Sequence, residues 1–237
     1  MTHRTKIETL KTNIRKDIEK DILSYKRAVI REIDSLWRTF KVVSTNDDIE
    51  TFARYLLDNL NIPKGKVNAI IKELKTVQSN IADVWGDYFS EASGKNIFVD
   101  YEKLVALHSV DFKEINKDIR NTVVKEFKES VNKNYNFETI RARLQKSNLS
   151  TSSIYNLANT AVSQFDNASM FEYALQAGIN EFLYDGILMP DSRLFCIEHF
   201  HKTFTYEEIL AMDNGQGLPV VTSCGGYNCH HYWTAKI

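Results

Sequence analysis

The chain has 237 residues, 43% of them hydrophobic, with 30 Lys and Arg against 31 Asp and Glu, and only three cysteines. That length supports one large domain or two small ones, and the charge balance argues against both a general nucleic-acid coat and an acidic solvating protein. No apolar run approaches the roughly 18 residues of a bilayer span, no signal-peptide pattern opens the chain, and three cysteines do not make a disulfide framework, so the expectation is a protein made in a cytoplasm.

The first predicted element is a long helix. Ile7, Leu10, Ile14, Ile18, Ile22, Tyr25, Val29, Ile33, Leu36 and Phe40 recur at steps of three and four. Their mean step is about 3.67 residues, close to an 11-residue repeat, so the helix should run nearly straight for on the order of 50 Å. Such an apolar edge must lie on something, either the rest of the chain or a partner. Residues 1–45 carry 11 Lys and Arg against 6 Asp and Glu, a net of +5. Acidic residues such as Asp17, Glu19 and Asp21 interrupt that excess, so a solvated face is the plainest reading of it.

Asn46-Asp47-Asp48 should cap a second helix through Ile49, Phe52, Ala53, Leu56, Leu57 and Leu60. Pro63 suits the first turn of a third, which runs through Val67, Ile70, Leu74, Val77, Ile81, Trp85 and Phe89 to Ser93-Gly94. Residues 96–101 read as a link. Tyr101 to about His108, Phe112 to Val131 (capped by Ser109) and Phe137 to Leu144 read as three further helices. Leu149 to Ala177 is the last long one, opened by Ser150-Thr151-Ser152-Ser153 and stopped at Gly178.

After Gly178 the pattern changes. Phe182 to Met189 places two short apolar runs around Asp185-Gly186, a hairpin signal. Thr205-Tyr206-Glu207-Glu208 has capping-box spacing and should start a helix to about Met212. Asp213-Asn214-Gly215-Gln216-Gly217 reads as a helix end and a turn whose amides satisfy nearby backbone. It has neither the alternating oxygens of a calcium loop nor the Gly-Lys-Ser/Thr of a phosphate loop. Leu218 to Thr222 and Tyr227 to Trp233 read as short strands. The expected fold is mainly α with a small α+β C-terminal domain, its antiparallel sheet built on the hairpin. The expected segments are a helical arm at 1–45, a helical domain at 46–148 and the α+β domain at 149–237. Tyr184, Phe195, Phe204, Leu218, Tyr227, Tyr232 and Trp233 are its candidate core, and the 149–177 helix its cover.

All three cysteines and four of the six histidines lie in the last 42 residues. Cys196 and His199 have C-x2-H spacing, and His231 follows Cys229 by two. Two short pairs separated by a loop are the layout of a structural zinc site, with Cys196, His199, Cys229 and His231 as the ligand set. His201, Cys224 and His230 compete for the same role. A Cys196–Cys229 bridge and plain core packing are the alternatives. Cys196 with His199 and Glu198 also has the residue types of a thiol nucleophile with its base. No oxyanion loop accompanies them, and the Gly225-Gly226 pair is more simply a turn.

The run from Asp191-Ser192-Arg193-Leu194-Phe195-Cys196 through Asp213-Asn214-Gly215-Gln216-Gly217-Leu218-Pro219-Val220 to Gly225-Gly226-Tyr227-Asn228-Cys229-His230-His231-Tyr232-Trp233 resembles the C-terminal domain of tailed-phage minor head proteins. This is the head-morphogenesis family typified by the F protein of phage Mu. The resemblance covers residues 150–237, and its structural motif falls on Asp191, Arg193, Cys196, Asn214, Gly215, Gly226, Cys229, His231 and Trp233. Two positions depart from the family pattern: Asn159-Thr160-Ala161 stands where many members carry Arg-Thr-Glu, and His230 where Arg is usual.

The resemblance implies a virion protein of the phage head that acts by binding and not as an enzyme. It would be associated with the portal and the capsid interior, in head assembly or in DNA packaging and ejection. On that reading Ile7, Leu10, Ile14, Ile18, Ile22, Tyr25 and Val29 would dock onto portal, capsid or scaffold protein. The basic arm would face packaged DNA through phosphates. A zinc-stabilised module contacting nucleic acid, and a thiol-dependent hydrolase, are the alternative expectations. No cofactor other than zinc is expected.

Overall fold

The computed structural model describes residues 2–43, 49–60, 64–107, 112–133, 135–147, 151–227 and 229–237. The chain is mainly α with a small three-stranded antiparallel sheet near its C-terminus. The helices in chain order are α1 (His3–Val43), α2 (Ile49–Asn59), α3 (Lys64–Ser93), α4 (Tyr101–Leu107), α5 (Phe112–Asn132), α6 (Phe137–Lys146) and α7 (Thr151–Gln176). Then come β1 (Glu181–Asp185), α8 (Leu194–His199), β2 (Thr203–Thr205), α9 (Tyr206–Ala211), α10 (Val220–Ser223) and β3 (Tyr232–Ala235). No described helix is long and apolar enough to cross a membrane. The expected caps at Asn46–Asp48, Ser109 and Ser150, and the first-turn Pro63, lie outside the described residues, as does Asn228 of the closing motif.

Two compact units form, and neither is continuous in sequence. One comprises Met1–Arg15, Glu73–Val110 and Asn156–Ile237, the other Lys16–Lys72 and Asp111–Tyr155. They cut across the segments 1–45, 46–148 and 149–237 because α1, α3 and α7 each contribute residues to both.

The 41 residues of α1 include no Gly or Pro, and the Thr2 hydroxyl caps the helix by accepting from the Thr5 N–H at 3.2 Å. Its apolar stripe is the main correction to the sequence reading. Ile7, Ile14, Ile18, Ile22, Tyr25 and Val29 are buried within the chain, and only Leu10 of the expected docking residues is partly open. The stripe is core, so it offers no free edge to a partner.

In the unit containing Lys16–Lys72, the core is aromatic. Trp37 stacks on Phe137 at 4.4 Å and meets Phe52 edge-on at 4.8 Å, and Phe52 meets Phe127 at 5.4 Å. Such geometries stabilise beyond the area they bury. The Asn136 side chain caps α6 through the Thr139 N–H at 2.9 Å. Arg141 on α6 grips Asp34 of α1 with Nε at 2.8 and 3.0 Å from the two carboxylate oxygens.

In the other unit, α7 ends in a Schellman motif: Ile179 N–H donates to Ala174 O at 2.9 Å and Gly178 N–H to Leu175 O at 3.0 Å, with Gly178 at φ +84°. The chain then enters the sheet, whose order is β2-β1-β3. Phe182 pairs with Phe204, and Tyr184 with Trp233. As expected, α7 covers this sheet, with Phe171 lying 4.4 Å from Phe182 and 6.1 Å from Trp233.

The expected hairpin is absent from the described residues. β1 pairs with the distant β2 and β3, and Ile187, Leu188 and Met189 are exposed. Gly186 serves another purpose: a Cβ there would lie 2.8 Å from His231 Cα, so the glycine admits the approach of the closing strand. The expected strand at Leu218–Thr222 is instead the helical turn α10 behind Pro219. The expected Tyr227–Trp233 strand begins only at Tyr232. Tyr184 and Trp233 are fully buried as expected, Phe195, Phe204, Leu218 and Tyr232 only partly, and Tyr227 is exposed.

Candidate metal centre

α8 places Cys196 inward, with 2% of its surface exposed. The second cysteine arrives by a different route. After α10, Cys224 takes a positive φ of +50°, Gly226 N–H donates to Ser223 O at 2.8 Å and Cys229 N–H to Gly226 O at 3.2 Å. This compact turn delivers Cys229 to Cys196 and leads into β3, whose approach carries His231.

The three donors form one cluster. Cys196 Sγ lies 3.7 Å from Cys229 Sγ, and Cys229 Sγ lies 3.5 Å from His231 Nδ1. All three ligand atoms fall within 4.8 Å of one another. The Tyr184 hydroxyl donates to Cys196 Sγ at 3.5 Å and lies 3.7 Å from Cys229 Sγ. Its ring stacks on His231, nearly parallel at 4°. The Gly225 N–H donates to Cys229 Sγ at 3.3 Å. Gly225 is also a spatial requirement, because a Cβ there would sit 2.3 Å from Cys196 Sγ and 3.2 Å from Cys229 Sγ.

The two thiols divide their protons unequally. A hydrogen bond donated by Cys196 holds Cys229 below the ordinary thiol range, with help from the contacts to His231 and Gly225 and against burial. The same bond, together with burial, pushes Cys196 up. Burial pushes the Tyr184 hydroxyl far up, so it remains a donor.

The other expected ligands do not join. His199 Nδ1–H donates to Phe195 O of its own helix at 2.7 Å, and its ring stacks on Phe195 at 4.1 Å. His199 stands outside the group of donor atoms formed by Cys196, Cys229 and His231. Cys224 is buried and accepts from Asn167 Nδ2 at 3.4 Å. His201 lies beside Asp185 at 3.3 Å, and His230 is exposed.

The remaining motif residues brace the cluster from outside. Arg193 Nη2 donates to Tyr227 O at 2.6 Å. Asn214 is buried, donates to Leu218 O and Cys224 O at 3.0 Å each, and accepts from the Gln216 N–H. Asp213 accepts from the Gly215 N–H at 2.8 Å, so this loop is the backbone-satisfying turn expected of it. Gln216 Oε1 accepts from the Tyr227 N–H at 2.9 Å, and Gly226, at φ +104°, has no room for a Cβ beside that amide. Trp233 Nε1 donates to Val220 O at 3.2 Å. Asp191 is exposed on the turn before α8 and stays apart.

A second polar cluster escaped the sequence reading. Asp166 on α7 is fully buried and ion-paired to Lys11 and, at 3.1 Å, to Arg4. Trp85 Nε1 donates to its other oxygen at 2.9 Å. Burial pushes this carboxyl up, but Lys11 and Arg4 outweigh it and hold the group below the ordinary carboxylate range. Arg4 also lies flat over the Tyr232 ring at 3.6 Å. One signal was present: Lys11 stands at a helical step between Ile7 and Ile14, inside the apolar stripe.

In the other unit, an open groove is lined by Lys26, Arg27, Arg31 and Arg141 around Asp34. Among known proteins, no family model matches the chain, and no curated protein or solved structure is similar to it.

Proposed function

We propose that the chain is a minor component of a tailed-phage head that acts by binding other head proteins. One observation carries this reading. The stretches that resemble the minor head family, 191–196, 213–220 and 225–233, are separate in sequence yet bonded to one another through Arg193 to Tyr227, Gln216 to Tyr227 and Cys196 to Cys229. A shared motif whose members brace one another is what a conserved structural module requires.

The burial of the α1 stripe moves the docking surface elsewhere. Five of the ten exposed large hydrophobic residues among the described ones, Ile187, Leu188, Met189, Leu194 and Ile197, fall between β1 and the end of α8. Exposed apolar side chains concentrated in one short stretch suit a contact with portal, capsid or scaffold protein. Quantitative mass spectrometry of purified heads and proheads tests the proposal. A few copies per head are expected, and absence from both overturns it.

A second reading, contact with packaged DNA, is favoured by the groove at Lys26, Arg27, Arg31 and Arg141. Such contact would be made to phosphates and independent of sequence, weakening steeply as salt rises. Equal retention of duplex DNA by the wild-type chain and by an Arg27→Ala/Arg31→Ala variant would exclude that groove.

A further inference from the structure

We infer that Cys196, Cys229 and His231 bind one structural zinc ion, and that His199 takes no part. Two of the three separations are those of a metal's coordination edges, and all three donor atoms lie within 4.8 Å of one another. With Zn–S near 2.3 Å and Zn–N near 2.0 Å, a tetrahedral centre has S–S edges of about 3.7 Å and S–N edges of about 3.5 Å. The chain holds Cys196 and Cys229 sulfurs at 3.7 Å, and Cys229 Sγ and His231 Nδ1 at 3.5 Å. The described residues supply three of the four donors that a structural zinc site uses, and the Tyr184 hydroxyl donates to Cys196 Sγ from outside that set.

The surroundings of Cys229 suit a metal-bound thiolate. The Gly225 N–H points at Cys229 Sγ, as the outer partner of a metal-bound thiolate does. The ligands also come from α8 and from the segment before β3, so one ion would tie the end of the chain to the first half of the small domain. Binding forms two Zn–S bonds and one Zn–N bond. Any proton still on a sulfur passes to solvent, and nothing is oxidised or reduced.

The test uses the full chain purified under reducing conditions without added metal, with zinc measured by elemental analysis and folding by circular dichroism. About one zinc per folded wild-type chain is expected. His199→Ala and Cys224→Ser should retain it, while His231→Ala should bind at least tenfold more weakly. Removing zinc from the wild-type chain with a chelator should lower its thermal midpoint, and zinc alone should restore it. The inference fails if folded, reduced wild-type chain neither carries zinc nor gains stability from it. It fails equally if His231→Ala binds zinc as tightly as wild type, or if His199→Ala loses it. Because the first measurement is made on the wild-type chain, a variant that does not fold cannot obscure the result.

Discussion

A Cβ on Gly225 would stand 2.3 Å from the sulfur of Cys196, so the turn before Cys229 and the helix bearing Cys196 meet with no space for a methyl group. The two residues are 29 positions apart in sequence, and their contact closes the small domain.

Gly225→Ala should therefore destabilise the protein by about 1–3 kcal/mol, the usual cost of forcing a methyl group into a packed site. Backbone on one side and a buried sulfur on the other leave little freedom to adjust. Urea denaturation followed by tryptophan fluorescence measures the change. Gly65→Ala is the control, since a Cβ there meets nothing within 4 Å.

Removing the carboxylate of Asp166 should cost more. Asp166→Ala strands Lys11 and Arg4, and breaking a buried ion pair from one side typically costs about 3–5 kcal/mol. The double variant Asp166→Leu/Lys11→Met removes both ends of the Lys11 pair and should recover much of the loss. Chemical denaturation of Asp166→Leu, Lys11→Met and the double variant gives the coupling directly.

The same carboxylate sets an acid dependence. Its folded pKa lies below the unfolded value of about 3.9, so the unfolded chain binds the proton first. The contribution is complete above that value and is lost as pH falls through the lower, folded pKa. Between those points, stability should rise with pH more steeply in wild type than in Asp166→Asn. Denaturant midpoints from pH 2 to 6 measure both slopes.

Several elements were legible in the sequence because their signals are local. The Thr205–Glu208 capping box forms with both reciprocal bonds, the Gly178 stop is a Schellman motif, and the period of α1 marks its buried face. The errors involve partners far away in the chain. Asp185-Gly186 reads as a hairpin, but Gly186 answers to His231 and β1 pairs with Thr203–Thr205 and Tyr232–Ala235. His199 has ligand spacing from Cys196, yet a helix as short as α8 directs its ring to the Phe195 carbonyl. The stripe of α1 showed that it had to be covered without showing by what.

Two substitutions separate core from docking surface. Ile18→Ala, at 1% exposure, should cost about 2–5 kcal/mol as a core truncation. Leu194→Asp, at 69% exposure, should change stability by no more than about 0.5 kcal/mol. It should nevertheless reduce incorporation of the chain into heads, measured by mass spectrometry of particles from a complementation experiment. Full incorporation of Leu194→Asp would remove the start of α8 from the docking surface.

Zinc binding rests on the Cys196–Cys229–His231 cluster, which Gly225 lets close. X-ray absorption at the zinc edge, recorded on the reduced full-length chain, tests it directly. The predicted first shell holds two sulfurs at about 2.3 Å and two nitrogen or oxygen atoms at about 2.0–2.1 Å. A shell of nitrogen and oxygen alone, or folded protein that retains no zinc, would contradict it.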